Sequence, residues 1–190
     1  REFGVQVWAA DLWITADYNR RRAEAAGVGD TVFPVRAEAH ALPFAENFFD
    51  AIISIDAYQY FGTDVLYLGY LLRFLRPGGF VGMAGPGLTQ SFRIVPRHLA
   101  RSQSHGKPFW DDECWSFKTA EWWYAHWRKN SSVSNVRADT LEQGWRYWYE
   151  FEKVLQETGK GVFPPDAEAL EQDRGEYLGF VRALAKRTGG

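Results

Sequence analysis

The chain has 190 residues, 24% of them charged, and a formal net charge of -2, a length at which one domain buries roughly 70% of the surface its unfolded chain exposes. Its Lys and Arg residues are scattered rather than gathered into one run, so the electrostatic footprint of a nucleic-acid binder is lacking and a small-molecule partner is expected instead. Cys114 is the only cysteine, which excludes an internal disulfide and multi-cysteine zinc patterns; with no apolar run of about 18 residues and no signal-peptide pattern, the expectation is a soluble protein in the cytoplasm.

In chain order, Gly4 to Ala10 is apolar and β-branched and ends in Asp11-Leu12, which predicts a buried strand running into a loop. Asp17 is placed to cap a short helix ending near Gly27-Val28-Gly29. Val32 to Ala37 predicts a second strand, and Pro34 within it points to the sheet edge. Glu38-Ala39-His40 leads into a turn at Leu42-Pro43-Phe44. Phe48 to Ile55 is the most strand-like run and is expected to be central. Val65, Leu68, Leu72 and Leu75 recur at helical spacing, and Arg76-Pro77-Gly78-Gly79 stops that helix before a strand over Phe80 to Ala84. Strand, helix and strand, twice over, imply parallel crossovers and an open α/β sheet.

Beyond Gly85-Pro86-Gly87 the pattern predicts helices around Gln90 to Arg101 and Thr119 to Lys129, then a weak strand over Val133 to Ala138. Asp139 and Glu142 have capping-box spacing before a helix over Leu141 to Thr158, crowded with Trp145, Trp148, Tyr149 and Phe151. Pro164-Pro165-Asp166 opens a further helix, and Tyr177 to Leu184 alternates poorly, which fits either a closing strand or a last helical turn, the strand being the expectation. No repeat or linker divides the chain, so a single domain over 1–190 is expected, with a cofactor-side α/β part over 1–87 and a substrate-side and closing part over 88–190.

In an open parallel sheet ligands bind beyond the carboxyl ends of the strands. Asp11 closes the first strand, Glu38 follows the second, and Ser54-Ile55-Asp56 ends the third. A strand-end acid can accept hydrogen bonds from both hydroxyls of a ribose, or it can cap the turn that follows. There is no His-Glu-x-x-His or His-x-x-x-His pairing for a metal, no Gly-x-Ser-x-Gly nucleophile elbow, and no glycine fingerprint after a strand for a nicotinamide cofactor.

Read together, Asp11, Glu38-Ala39, Leu42-Pro43-Phe44, the Phe49 to Ser54 strand and Leu75-Arg76-Pro77-Gly78-Gly79 occur in an order that resembles class I S-adenosylmethionine-dependent methyltransferases of the small-molecule type. The resemblance covers roughly residues 4 to 87 and implies an open Rossmann-like, mostly parallel sheet with flanking helices and a C-terminal helical, aromatic part. It nominates Asp11, with Leu12 beside it, for the ribose of S-adenosylmethionine. Glu38 and Ala39 fall to the adenine, and Ser54 to the neighbourhood of the amino-acid end. In that family a first strand leads to a Gly-x-Gly-x-Gly turn, whereas Arg1-Glu2-Phe3-Gly4 corresponds to the end of the helix after that turn. The resemblance thus implies an N-terminally truncated domain lacking the glycine-rich motif, its sheet short of a middle strand. Three explanations stay open: a fragment, a truncation completed by a partner subunit, or a rewired sheet. A homo-oligomer that completes the sheet is the expectation.

Tyr58, Tyr60 and Phe61 after the central strand, with Trp122 and Trp123, are candidates to line the methyl-acceptor cavity, or else plain packing. Of His40, His98, His105 and His126, His126 is the candidate general base because it shares a helix with Trp122 and Trp123. Two functions stand against each other: a methyltransferase for a small aromatic or apolar molecule, and an inactive scaffold serving as a binding or assembly module.

Overall fold

The structure, a computed structural model, describes residues 2–160 and 166–189. It is α/β, with strands β1 Val7–Asp11, β2 Val32–Arg36, β3 Phe49–Ile55, β4 Leu75–Leu88, β5 Val133–Thr140 and β6 Leu178–Arg187. The helices are α1 Ala16–Ala25, α2 Tyr67–Leu72, α3 Arg97–Ala100, α4 Ala120–Trp127, α5 Gly144–Thr158 and α6 Ala167–Asp173. The chain divides into two compact units, residues 1–45 and 46–190.

In the first unit β1 and β2 pair in parallel, from Val7 against Val32 to Asp11 against Arg36, with α1 as the crossover. Pro34 sits in β2, which has β1 as its one partner, as its missing N–H requires. The cap of α1 is Thr15 rather than Asp17: its hydroxyl accepts from the Tyr18 amide, and Asp17 lies in the first turn, where an anion favours the helix dipole.

The second unit carries a four-stranded sheet in the order β3-β4-β6-β5. β3 and β4 are parallel, joined through α2, while β6 runs antiparallel to both β4 and β5. The closing strand at the C-terminus is therefore present, and it is longer than its weak alternation suggested. α2 packs on β4, α4 on β5 and β6, and α5 and α6 on each other.

Five expectations change here. β3 is an end strand of its sheet, and Ile53 and Ile55 on it are 71% and 64% exposed; its continuous apolar run signalled burial, but no described element covers that face. α2 is one and a half turns long, and Leu75 begins β4 instead of ending the helix. Arg76-Pro77-Gly78-Gly79 is accommodated inside β4 by a shift in register, Phe49 facing Leu75 but Ala51 facing Phe80, with Gly78 at φ +79°. Only Arg97–Ala100 is helical where Gln90 to Arg101 was expected, because Pro96 removes a donor and disfavours helix in the residue before it. Asp139 lies in β5 and grips Arg182 with both oxygens at 2.6 and 2.8 Å, so α5 starts at Gly144 with no side-chain cap.

The helix over α4 begins as expected, Thr119 accepting from the Trp122 amide. Gly85-Pro86-Gly87 continues β4 against Val181, Phe180 and Gly179; β3 pairing has ended at Ile55 against Ala84, so Pro86 sits where β4 has a neighbour on one side. Pro164 and Pro165 lie outside the described residues, and α6 follows Asp166.

Candidate active site

In the first unit the carboxyl ends of β1 and β2 lie side by side, the Ala37 amide donating to the Asp11 carbonyl at 3.1 Å. Asp11 does cap the turn after its strand. Its Oδ1 accepts from the Trp13 and Ile14 amides at 2.7 and 2.9 Å, and among the described residues no hydrogen bond uses Oδ2. One oxygen fixes the side chain and the other stays available to a hydroxyl donor, with exposed Leu12 alongside. Glu38 is bound more fully: it accepts from the His40 amide and contacts His40 Nδ1, both at 2.9 Å. The hydrogen bond from the His40 ring is the main reason its carboxyl pKa lies below the usual range. Ala39 follows β2 in the same turn.

In the second unit Ser54 is half-buried on β3 and pairs with Met83. Four of the five sequence-nominated aromatics, Tyr58, Phe61, Trp122 and Trp123, gather into one cluster. Tyr58 meets Phe61, Tyr67, Trp123 and Trp127 edge-on at centroid distances near 5.6 Å, and Trp122 stacks on His126 at 4.4 Å. Tyr58, Trp123 and Trp127 are fully buried and fill the space beneath the sheet. His126 is buried too; its Nε2 lies 3.1 Å from the Gly62 carbonyl, so that nitrogen carries the proton, and Nδ1 has no partner among the described residues. Burial holds its pKa below the ordinary imidazole value, which keeps the ring neutral.

Tyr60 stands apart from that cluster. It is exposed beside Asp56, and burial of its hydroxyl together with the Asp56 charge raises its pKa. Asp56 follows the last residue of β3 with φ +51°, a left-handed conformation uncommon for a residue with a side chain. It borders a cavity of about 180 Å³ whose walls are Tyr147, Trp148, Phe151 and Phe180, with Glu152 at its edge. Asp166 donates its amide to Glu152 Oε2 at 3.3 Å. Burial raises the carboxyl pKa of Asp56, Glu152 and Asp166, and Asp166, pressed further by Glu152, Asp56 and Asp111, is pushed up to about 7. A larger cavity of about 410 Å³ beside Tyr124 and Arg128 adjoins the start of β5. β5 begins opposite Arg187, which places that cavity at the amino end of the parallel pair, away from the strand ends where ligands bind.

The sequence marks Asp56 only as part of a strand-end tripeptide and does not point to Glu152 or Asp166 as site residues. The available signal was slight: acids amid α5 aromatics and beside Pro165.

Residues 1–83 match the family described as methyltransferase domain. That match spans 83 of the chain's 190 residues. No curated protein sequence matches it. Among solved structures it is similar to a candidate sarcosine dimethylglycine methyltransferase from Galdieria sulphuraria, at 16% identity and a TM-score of 0.69 over 99% of this chain and 72% of that one. It is equally similar, at 20% identity and a TM-score of 0.68, to geranyl diphosphate C-methyltransferase from Streptomyces coelicolor A3(2), crystallised with S-adenosyl-L-homocysteine; the match covers 99% of this chain and 64% of that one. The [4+2]-cyclase SpnF matches with a TM-score of 0.68 and 15% identity, over 98% of this chain and 68% of that one. These likenesses establish a methyltransferase fold, and the chain spans roughly two thirds of the length of each of these three structures. Among the described residues no group of three or more His, Cys, Asp or Glu is arranged to hold a metal, and no helix is long and apolar enough to cross a membrane.

Proposed function

We propose that this chain is an S-adenosylmethionine-dependent methyltransferase acting on a small molecule with an apolar or aromatic body. The observation that carries the reading is Asp11: an acid at the carboxyl end of a parallel strand, inside the family-matched segment, held by one oxygen and open at the other. Asp11 and Leu12 would hold the ribose, and Glu38 and Ala39 the adenine edge. Bound there, the cofactor supplies an electrophilic methyl group on a sulfonium, so the protein's work is proximity and alignment rather than bond activation. Tyr60 is the nominated aromatic best placed by exposure to meet an acceptor, while Tyr58, Phe61, Trp122 and Trp123 shape the support behind it. His126 as general base requires its Nδ1 to be reached by an acceptor through the packing around it, since Nε2 is taken by Gly62. Nothing in the comparisons favours a retired scaffold.

Calorimetric titration with S-adenosylmethionine and S-adenosylhomocysteine tests the reading, with Asp11→Ala as control. Micromolar binding lost in the variant is expected. Absence of binding up to millimolar ligand, or binding indifferent to the substitution, overturns it.

A further inference from the structure

The cavity beside Asp56 combines two features that share one chemical preference. Its walls include the aromatic side chains Tyr147, Trp148, Phe151 and Phe180, and its polar border is the carboxyl groups of Asp56 and Glu152. Aromatic faces attract organic cations through the ring quadrupole, most strongly where water is excluded. The carboxylates lack a counter-charge, for no ion pair among the described residues involves Asp56, Glu152 or Asp166. Clustered acids without a cation are unfavourable, and a ligand carrying positive charge relieves that.

A separate observation lies behind Asp56. Gln59 is only 1% exposed and directs its amide toward the cluster, Nε2 donating to Asp56 Oδ1 at 3.1 Å, while its Oε1 has no partner among the described residues. A fully buried amide is thus committed to orienting Asp56, and it leaves an acceptor unsatisfied in doing so, which a purely structural aspartate would not require. Gly85 is needed for this arrangement, since a Cβ there would come within 2.7 Å of Gln59 Oε1.

Size and donor geometry narrow the ligand. At about 180 Å³ the cavity lies below the ~300–1,000 Å³ usual for drug-sized ligands. The acids do not converge as a metal site among the described residues, so a diffuse cation suits them better than a compact one.

We propose that this cavity binds a small organic ammonium ion on an apolar body, its charge against Asp56 and Glu152 and its alkyl surface against the aromatic walls. As the methyl acceptor this ligand rests on the methyltransferase reading; as an occupant of the cavity it does not. An acceptor ammonium would first give one proton to a carboxylate. Its nitrogen lone pair then forms the new N–C bond as the methyl C–S bond breaks, leaving S-adenosylhomocysteine and a methylated ammonium.

The test is titration of the chain with choline chloride and with its uncharged isostere 3,3-dimethyl-1-butanol, followed by calorimetry. Choline is expected to bind at least about ten-fold tighter than the isostere. Glu152→Gln, which keeps an oxygen for the Asp166 amide, is expected to remove most of that preference. Phe151→Ala, an exposed position that leaves the carboxylates in place, is expected to weaken both ligands. Equal affinity for choline and isostere, or a preference unchanged in Glu152→Gln, overturns the proposal. So does displacement of choline by magnesium chloride at equal ionic strength to sodium chloride, which would mark a mere acidic cluster. Parallel titration with S-adenosylmethionine separates the two readings: choline binding without cofactor binding keeps the cavity and removes the methyltransferase function, and the converse removes the cavity.

Discussion

Asp166 offers a direct measure of how the carboxylate cluster is held. Its carboxyl is pushed from 3.8 to about 7 by burial first and then by the facing charges of Glu152, Asp56 and Asp111. The folded state therefore keeps a proton that the unfolded chain releases near pH 4. Where the folded state binds more protons, stability falls as pH rises, here between about 4 and 7, and levels off above. At 1.36 kcal/mol per unit, a shift of ~3 units sets an upper bound of about 4 kcal/mol, and the solvent that still reaches the half-buried Asp166 reduces this to about 2 kcal/mol. Asp166→Asn removes the titration without removing a cap, because the Asp166 side chain makes no capping bond to α6. Urea unfolding of both proteins at pH 5, 6, 7 and 8 should give an advantage to the variant that is small at pH 5 and grows to about 2 kcal/mol by pH 8. Parallel stability curves for the two proteins over that range would refute the argument, because they would mean Asp166 is ionised in the folded state throughout.

Other predictions concern parts of the fold outside the cavity. Asp173 is 2% exposed and accepts from the Tyr177 and Leu178 amides while contacting His98 Nε2 at 2.8 Å; Asp173→Ala should cost about 3 kcal/mol in urea unfolding, and Asp173→Asn less. Cys114 is buried, and its thiol is pushed up to about 12 by desolvation; it should react with a disulfide reagent far more slowly in the native protein than in denaturant. The exposed Ile53 and Ile55 of β3 support a second copy of the chain as a partner. Sedimentation at micromolar concentration should show a dimer that Ile53→Lys dissociates, and a monomer throughout would count against it.

The parallel pairs were legible because their sequences obey simple rules. Val32 to Ala37 and Phe48 to Ile55 are short β-branched runs bounded by turn residues, and Thr119 is a cap with a charged first turn behind it. The errors share a cause, which is that local signals competed with longer-range pairing. Leu75 fits the helical spacing of Leu68 and Leu72, yet it is fully buried in β4 opposite Phe49. Asp139 has capping spacing to Glu142, yet a partner 43 residues away takes both its oxygens. Neither partner can be inferred from a window of a few residues.

The site was legible where function depends on strand ends and illegible where it depends on side-chain encounters. Asp11 and Glu38 could be nominated because a strand end is a sequence feature. His126 and Trp123 could be nominated too, but only as members of an aromatic stretch, and aromatic rings at helical spacing serve a core as readily as a pocket. The structure distinguishes the uses through partners. Tyr58 is ringed by four aromatics and Tyr60, two residues on, stands exposed beside an acid. The carboxylates of Asp56, Glu152 and Asp166 come from the residue after β3, from α5 and from the residue before α6, with 110 positions between first acid and last. What brings them together is the antiparallel return of β6, which sets Phe180 opposite Pro86 and so carries α5 and α6 back toward the end of β3. A closing strand whose poor alternation fits a helical turn nearly as well is thus the element that builds the cavity.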